Sequence, residues 1–140
     1  MRKVGILLAE DIELWRQFIS SMLLKEPSFE LICEVVGGLQ AVLMAEPHQP
    51  TIALLDIGLP RLCGIDAARS IKALAPNTAI IFLSGEQDAD VVQTALGFEN
   101  GYVLTSDAAS DLIVAIHSVA RGETFVSRQL ASRAINEREV

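Results

Sequence analysis

The stretch Thr51-Ile52-Ala53-Leu54-Leu55-Asp56-Ile57-Gly58-Leu59-Pro60 decides how this chain folds. Its apolar run shows no alternation of apolar and polar residues, the mark of a strand covered on both faces, as in a parallel sheet between helices. The run ends on a charge, and Gly58 and Pro60 just beyond it punctuate a loop. Two other stretches have the same character. Val4 to Ala9 is followed at once by Glu10 and Asp11, and Ala79 to Ser84 ends on a hydroxyl.

Helical patterns fill the spaces between these runs. From Ile12 to Lys25, residues Leu14, Trp15, Phe18 and Met22 recur at helical spacing, and Pro27 closes the segment. Phe29 to Val36 is strand-like and ends at Gly37-Gly38. Leu39 to Glu46 is a short helix stopped by Pro47. Gly64 to Leu74 and Asp88 to Leu96 are helices, the latter with Gly97 as its stop. Tyr102 to Leu104 is a short strand. Ser106 or Asp107 caps a last helix whose Leu112, Ala115, Ile116 and Val119 form one apolar face, ended by Gly122. Phe125-Val126 leads into a stretch, Ser127 to Glu139, that reads as an extension helix. The expected architecture is α/β, a five-stranded parallel sheet with helices on both faces plus that C-terminal helix.

With 140 residues, 51% of them hydrophobic, the chain suits one domain with one continuous core. No apolar run approaches the roughly 18 residues of a membrane-spanning helix, and the N-terminus lacks a secretory pattern, so a cytoplasmic protein with no membrane partner is expected. A net charge of −7 argues against nucleic acid as the ligand of these residues. Cys33 and Cys63 lack metal-site spacing; one reads as a core thiol and the other as a loop thiol.

In a parallel sheet all strand ends of one sense meet at one edge. Glu10 and Asp11, Asp56, Ser84 and Thr105 each follow a strand, so the fold gathers them there. Three carboxylates brought together repel, and a hard cation relieves them. Mg²⁺ takes oxygen ligands and keeps room for phosphate oxygens, leaving one carboxylate able to act as a nucleophile. Taken singly, each residue has an ordinary explanation: Asp11 as a helix cap, Ser84 as a capping hydroxyl, Asp56 as turn chemistry. Their convergence carries the argument.

Ile6-Leu7-Leu8-Ala9-Glu10-Asp11, Leu54-Leu55-Asp56-Ile57-Gly58-Leu59-Pro60 with Gly64, Phe82-Leu83-Ser84-Gly85 and Gly101-Tyr102-Val103-Leu104 together resemble the receiver domain of two-component response regulators. Arg121-Gly122-Glu123-Thr124 before Phe125 resembles the ending of the LuxR-type subfamily. The likeness covers roughly residues 3 to 126. It implies a flavodoxin-like receiver fold over 1–126, with 127–140 a linker helix or the start of a missing output domain. It further implies Asp56 as phosphoacceptor and Glu10, Asp11, Asp56 and the Gly58 backbone carbonyl as Mg²⁺ ligands. Ser84 would engage the phosphoryl group, and Tyr102 would be the ring that swings inward. The implied donor is a phosphohistidine on a sensor histidine kinase, and homodimers are common, with Trp15 and Phe125 as apolar contacts. DNA would be bound only by a missing C-terminal domain, to which Asn136-Glu137-Arg138-Glu139-Val140 resembles the opening. Such a chain is a signalling phosphoacceptor and not an enzyme, beyond self-catalysed phosphoryl transfer and slow dephosphorylation.

One position departs from that pattern. The family has a Lys where this chain has Thr105, and its only lysines are Lys3, Lys25 and Lys72. A hydroxyl donates a hydrogen bond but no charge, and charge-assisted contacts are about twice as strong. The connection from Leu96 to Gly101 also reads as one residue short. An alternative is therefore a phosphorylation-independent interaction or dimerisation module with a degenerate site. A Mg²⁺-dependent phosphohydrolase would carry an acid-base Asp where Gly58 stands. A flavin binder would not place Glu10-Asp11 against a phosphate. His48, His117 and Arg61 read as structural or surface residues.

Overall fold

The computed structural model of the chain describes residues 3–85, 89–98 and 100–127. The elements run β1 Val4–Ala9, α1 Glu13–Leu24, β2 Phe29–Val35, α2 Gly38–His48, β3 Ile52–Leu55, α3 Gly64–Leu74, β4 Ala79–Ser84, α4 Ala89–Leu96, β5 Gly101–Leu104, α5 Ala108–Ala120 and β6 Phe125–Val126. All strand pairs are parallel, in the order β2-β1-β3-β4-β5-β6. The expected extension helix and its opening of an output domain lie outside the described residues, as do Asp88 and Glu99. No helix among the described residues is long and apolar enough to cross a membrane.

Successive strand residues point to opposite faces, and both faces are covered. Leu7, Ala9, Ala53, Leu55, Ile80, Phe82, Tyr102 and Leu104 pack under α2, α3 and α4. Ile6, Leu8, Ile52, Leu54, Ile81, Leu83 and Val103 pack under α1 and α5. Two cores back to back explain why these strands carry no polar alternation. Alanines at 41, 45, 67 and 68 let α2 and α3 approach the sheet closely.

The parallel sheet between helices stands as expected, and the structure adds detail at three places. There are six strands: Phe125-Val126 pairs in register with Gly101-Tyr102 at the sheet edge. The bonding continues past it, since the Ser127 N–H donates to the Tyr102 carbonyl at 3.0 Å and the Leu104 N–H donates to Ser127 Oγ at 3.0 Å. A strand of two residues leaves no periodic signal in a sequence. Pro47 sits inside α2 instead of stopping it: it forgoes one helical N–H bond, but only His48 follows before Gln49, with φ 42°, ends the helix. On α1 the fully buried residues are Ile19 and Leu23, whereas Leu14 and Phe18 are 78% and 41% exposed. The apolar stripe there is wider than the face that packs on the sheet.

Candidate functional site

The strand order reverses between β1 and β3: from β1 the chain goes outward to β2, then returns to the other side. Ligand crevices of open parallel sheets lie at that point, beyond the carboxyl ends of the strands. β1 delivers Glu10 and Asp11 there, and β3 delivers Asp56. The Asp56 N–H still donates to the Ala9 carbonyl at 3.1 Å, so the two strand ends stay in step up to the first acid. One carboxylate oxygen from each of Glu10, Asp11 and Asp56 lies within 4.8 Å of the other two.

Burial differs sharply among the three. Glu10 is only 4% exposed, Asp56 is half-buried and Asp11 is open to solvent. Glu10 Oε1 accepts from the Ile12 N–H at 3.0 Å, and Asp56 Oδ1 accepts from the Gly58 N–H at 3.0 Å. Asp11 caps nothing: the cap position of α1 is Ile12, with no side-chain cap bond. Burial, then the charges and side chain of Asp56 and the charge of Asp11, raise the Glu10 pKa from 4.5 to about 7 against the lowering pull of the Ile12 N–H. Burial also raises that of Asp56, with the Gly58 N–H and the Glu10 side chain pulling the other way.

Glu10, Ile12, Trp15, Asp56, Leu83, Gly85 and Thr105 line a cavity of about 330 Å³ over this cluster. Thr105 opens a single 3₁₀ turn just past β5, beside the acids as expected. Gly85 adjoins it, since a Cβ on Gly85 would meet Thr105 Oγ1 at 3.7 Å. No lysine reaches this edge; Lys72 donates its ammonium to the carbonyls of Pro76 and Thr78, just ahead of β4, at the far end of the sheet. Ser84 ends β4, 6% exposed, level with Leu104. Tyr102 is fully buried in the core under α4, its ring 6.2 Å from that of Phe82. Arg61, at φ 67°, lines an outer groove with Val36, Leu39 and Pro60, away from the acids. Cys63 is exposed and donates to Asp66 Oδ2 at 3.4 Å. His117 packs on Phe29 at 4.9 Å, with Nε2 3.7 Å from Glu26.

Two residues of the site escape a sequence reading. Trp15 lines the cavity, and Arg16 donates from Nη1 to the Glu10 carbonyl at 3.0 Å. Both depend on the angle at which α1 leaves β1, for which the only cue is their nearness to Asp11 in the chain.

The raised acids make a pH prediction. Below about pH 4.5 Glu10 holds its proton both folded and unfolded. Above that the unfolded chain releases it while the folded chain keeps it until about pH 7, so stability falls across this window and the full penalty remains above it. In chelator, thermal unfolding is expected at a lower temperature at pH 8 than at pH 6. A divalent ion should restore more stability at pH 8, where it meets no competing proton. Glu26, whose pKa is lowered by the Ser28 hydroxyl and N–H, adds no slope between pH 6 and pH 8, since it is ionised there both folded and unfolded. Equal melting temperatures at the two pH values in chelator would contradict the buried-acid account.

The family model of the response regulator receiver domain matches residues 6–117. The transcriptional regulatory protein DegU of Brevibacillus brevis is 29% identical over 136 residues, 96% of this chain and 58% of DegU. The transcriptional regulatory protein PdtaR of Mycobacterium tuberculosis is 34% identical over 137 residues, 95% of this chain and 65% of PdtaR. The chain thus spans 58 to 65% of the length of these curated relatives. A two-component response regulator of the LuxR family from Aurantimonas sp. SI85-9A1 has the same fold, with a TM-score of 0.92 at 23% identity over 99% of both chains.

Proposed function

The chain belongs to the response regulator receiver domain family, and from this and the acidic edge we propose that it takes up a phosphoryl group on Asp56 in a Mg²⁺-dependent reaction. The donor is a phosphohistidine of a sensor histidine kinase. The observation that carries this reading is the convergence of three carboxylate oxygens within 4.8 Å, one of them on a nearly buried Glu10.

The donor set fits Mg²⁺. It is all oxygen, and burial first and like charge second disfavour its ionised form, both of which a divalent cation relieves. Glu10, Asp11, Asp56 and the Gly58 carbonyl would hold it. When bound, the ion supplies positive charge against the oxygens of the transferring phosphoryl group. The chain's own residues do the rest. The Gly58 N–H fixes Asp56 Oδ1, orienting the carboxylate whose oxygen forms the new P–O bond as the donor's P–N bond breaks. Leu83, Ile12 and Trp15 restrict water around that bond. Ser84 and Thr105 offer hydroxyls to the phosphoryl oxygens, and Tyr102 behind them answers any movement of Ser84.

Incubation with Mg²⁺ and acetyl phosphate is expected to add one phosphoryl group by intact mass, mapped to Asp56 and prevented by chelator. Thr105 favours a second reading, an interaction module that works without phosphorylation, because no ammonium is present to hold the product. Absence of labelling, with no Mg²⁺ binding, would select it.

Output follows by proposal as well. Residues 1–126 act as the receiver and 127–140 join it to an output domain that binds DNA, as the length of the relatives supports. The exposed Leu14 and Phe18, bordering a groove of about 500 Å³ with Trp15, Thr105, Ser106 and Ala109, support self-association between α1 and α5 faces. Phe125, half-buried against the core under α5, contributes less than its sequence position implies.

A further inference from the structure

We infer that Arg16 is a positioning residue for the acidic site, holding the Glu10-Asp11 turn so that its carboxylates converge with Asp56; the inference rests on the Mg²⁺ reading above.

β1 ends at Ala9, and the next residues have no strand ladder to hold them. Three polar ties replace it. The Glu10 N–H donates to the Val35 carbonyl at 3.0 Å, anchoring the turn to β2. The Ile12 N–H donates to Glu10 Oε1 at 3.0 Å, fixing the side chain from within the turn. Arg16 Nη1 donates to the Glu10 carbonyl at 3.0 Å, and this tie joins the backbone of the turn to a side chain of α1. The Arg16 N–H donates to the Ile12 carbonyl at 2.9 Å, so its main chain is already held in the helix. The guanidinium therefore reaches back six residues from a rigid base.

The choice of acceptor matters. Arg16 is a permanent cation held 3.0 Å from the Glu10 carbonyl, yet among the described residues the ion pairs are Arg69–Asp66, His117–Glu26 and Arg121–Glu123. Arg16 forms none. It spends its hydrogen bond on a carbonyl and leaves the carboxylate oxygens of Glu10, Asp11 and Asp56 for each other and for a cation. Without Arg16, the carbonyl of a nearly buried residue loses its partner, and the turn is free to rotate Glu10 and Asp11 apart.

Charge and positioning predict opposite results, which makes the test decisive. As a nearby positive charge, Arg16 opposes a divalent cation, so its removal would tighten Mg²⁺ binding. As a positioning residue, its removal weakens binding; residues that orient metal ligands are worth about 10- to 100-fold in affinity. Mg²⁺ is titrated into the metal-free full chain, followed by the fluorescence of Trp15, the chain's one tryptophan, and by calorimetry, which is indifferent to changes beside the indole. Arg16→Ala is expected to raise the Mg²⁺ Kd about tenfold or more. Arg16→Lys, which keeps a donor and the charge, is expected to stay within about threefold of the starting protein. The labelling rate with acetyl phosphate should recover at saturating Mg²⁺, placing the loss in half-saturation and not in the plateau. If Arg16→Ala does not fold, Arg16→Met keeps the packed stem and is read the same way. Unchanged or tighter Mg²⁺ binding in the neutral variants, or no rescue by Lys, overturns the inference. Failure of the unsubstituted protein to bind Mg²⁺ would instead overturn the functional reading beneath it.

Discussion

Asp56→Asn is expected to leave the chain unlabelled by acetyl phosphate while making the metal-free fold more stable at pH 8. Both effects come from exchanging one carboxylate oxygen for an amide. The nucleophile disappears, since an amide neither carries the charge nor forms a stable acyl phosphate. Neither Glu10 nor Asp11 is placed to substitute: the first is nearly buried and bonded to the Ile12 N–H, and the second is solvated. Removing the charge also removes a repulsion that helps raise Glu10 to about 7, and an amide can donate to the Glu10 carboxylate. The gain in chelator at pH 8 should be on the order of 1 kcal/mol, the worth of about one pKa unit. Mg²⁺ binding should weaken at least about tenfold, beyond what loss of a supporting residue does. Intact mass and urea unfolding in chelator check the two halves separately. Persistent labelling would move the acceptor to another residue, and a lower unfolding midpoint would show that the acids do not strain the fold.

The second large effect is expected at Gly64→Ala. A Cβ there would land on the backbone carbonyl of Asp56, with the Asp56 carbon at 2.9 Å and Ile57 Cα at 2.8 Å. All of these are main-chain atoms that cannot swing aside. The Gly64 N–H also donates to the Ile57 carbonyl at 2.8 Å, so the start of α3 is tied against the end of β3. Forcing the two apart should destabilise the chain by about 3 kcal/mol, the upper end for overpacking, and shift Asp56 from its partners. Gly37→Ala is the matched control. Its Cβ would meet the Pro60 carbonyl at 3.5 Å, an ordinary contact, and φ there is −148°, which any residue adopts. Urea unfolding should separate the two alanines by more than about 2 kcal/mol; similar midpoints would mean that the β3–α3 junction yields easily.

What the sequence makes legible has a physical pattern. β1, β3 and β4 are visible because doubly covered strands must be apolar throughout, and the acids are visible because each follows such a run directly. Thr105 is legible for the same reason, as the residue after the last apolar strand of the repeating unit. What hides depends on angles between elements. Trp15 and Arg16 belong to the site only because α1 folds back over the end of β1, and the outward turn of Leu14 and Phe18 follows from the same angle. β6 hides because two residues carry no period, and its place is set by where the chain emerges from α5.

That short last strand limits how copies of this protein can meet. An open β5 would present unpaired amide and carbonyl groups to any extended chain nearby, and β6 together with Ser127 saturates them from within. The opposite border, β2, carries the exposed charges of Glu30 and Glu34. With one margin ending on a strand of only two residues and the other guarded by charge, strand addition is disfavoured, and association is left to the helical surfaces.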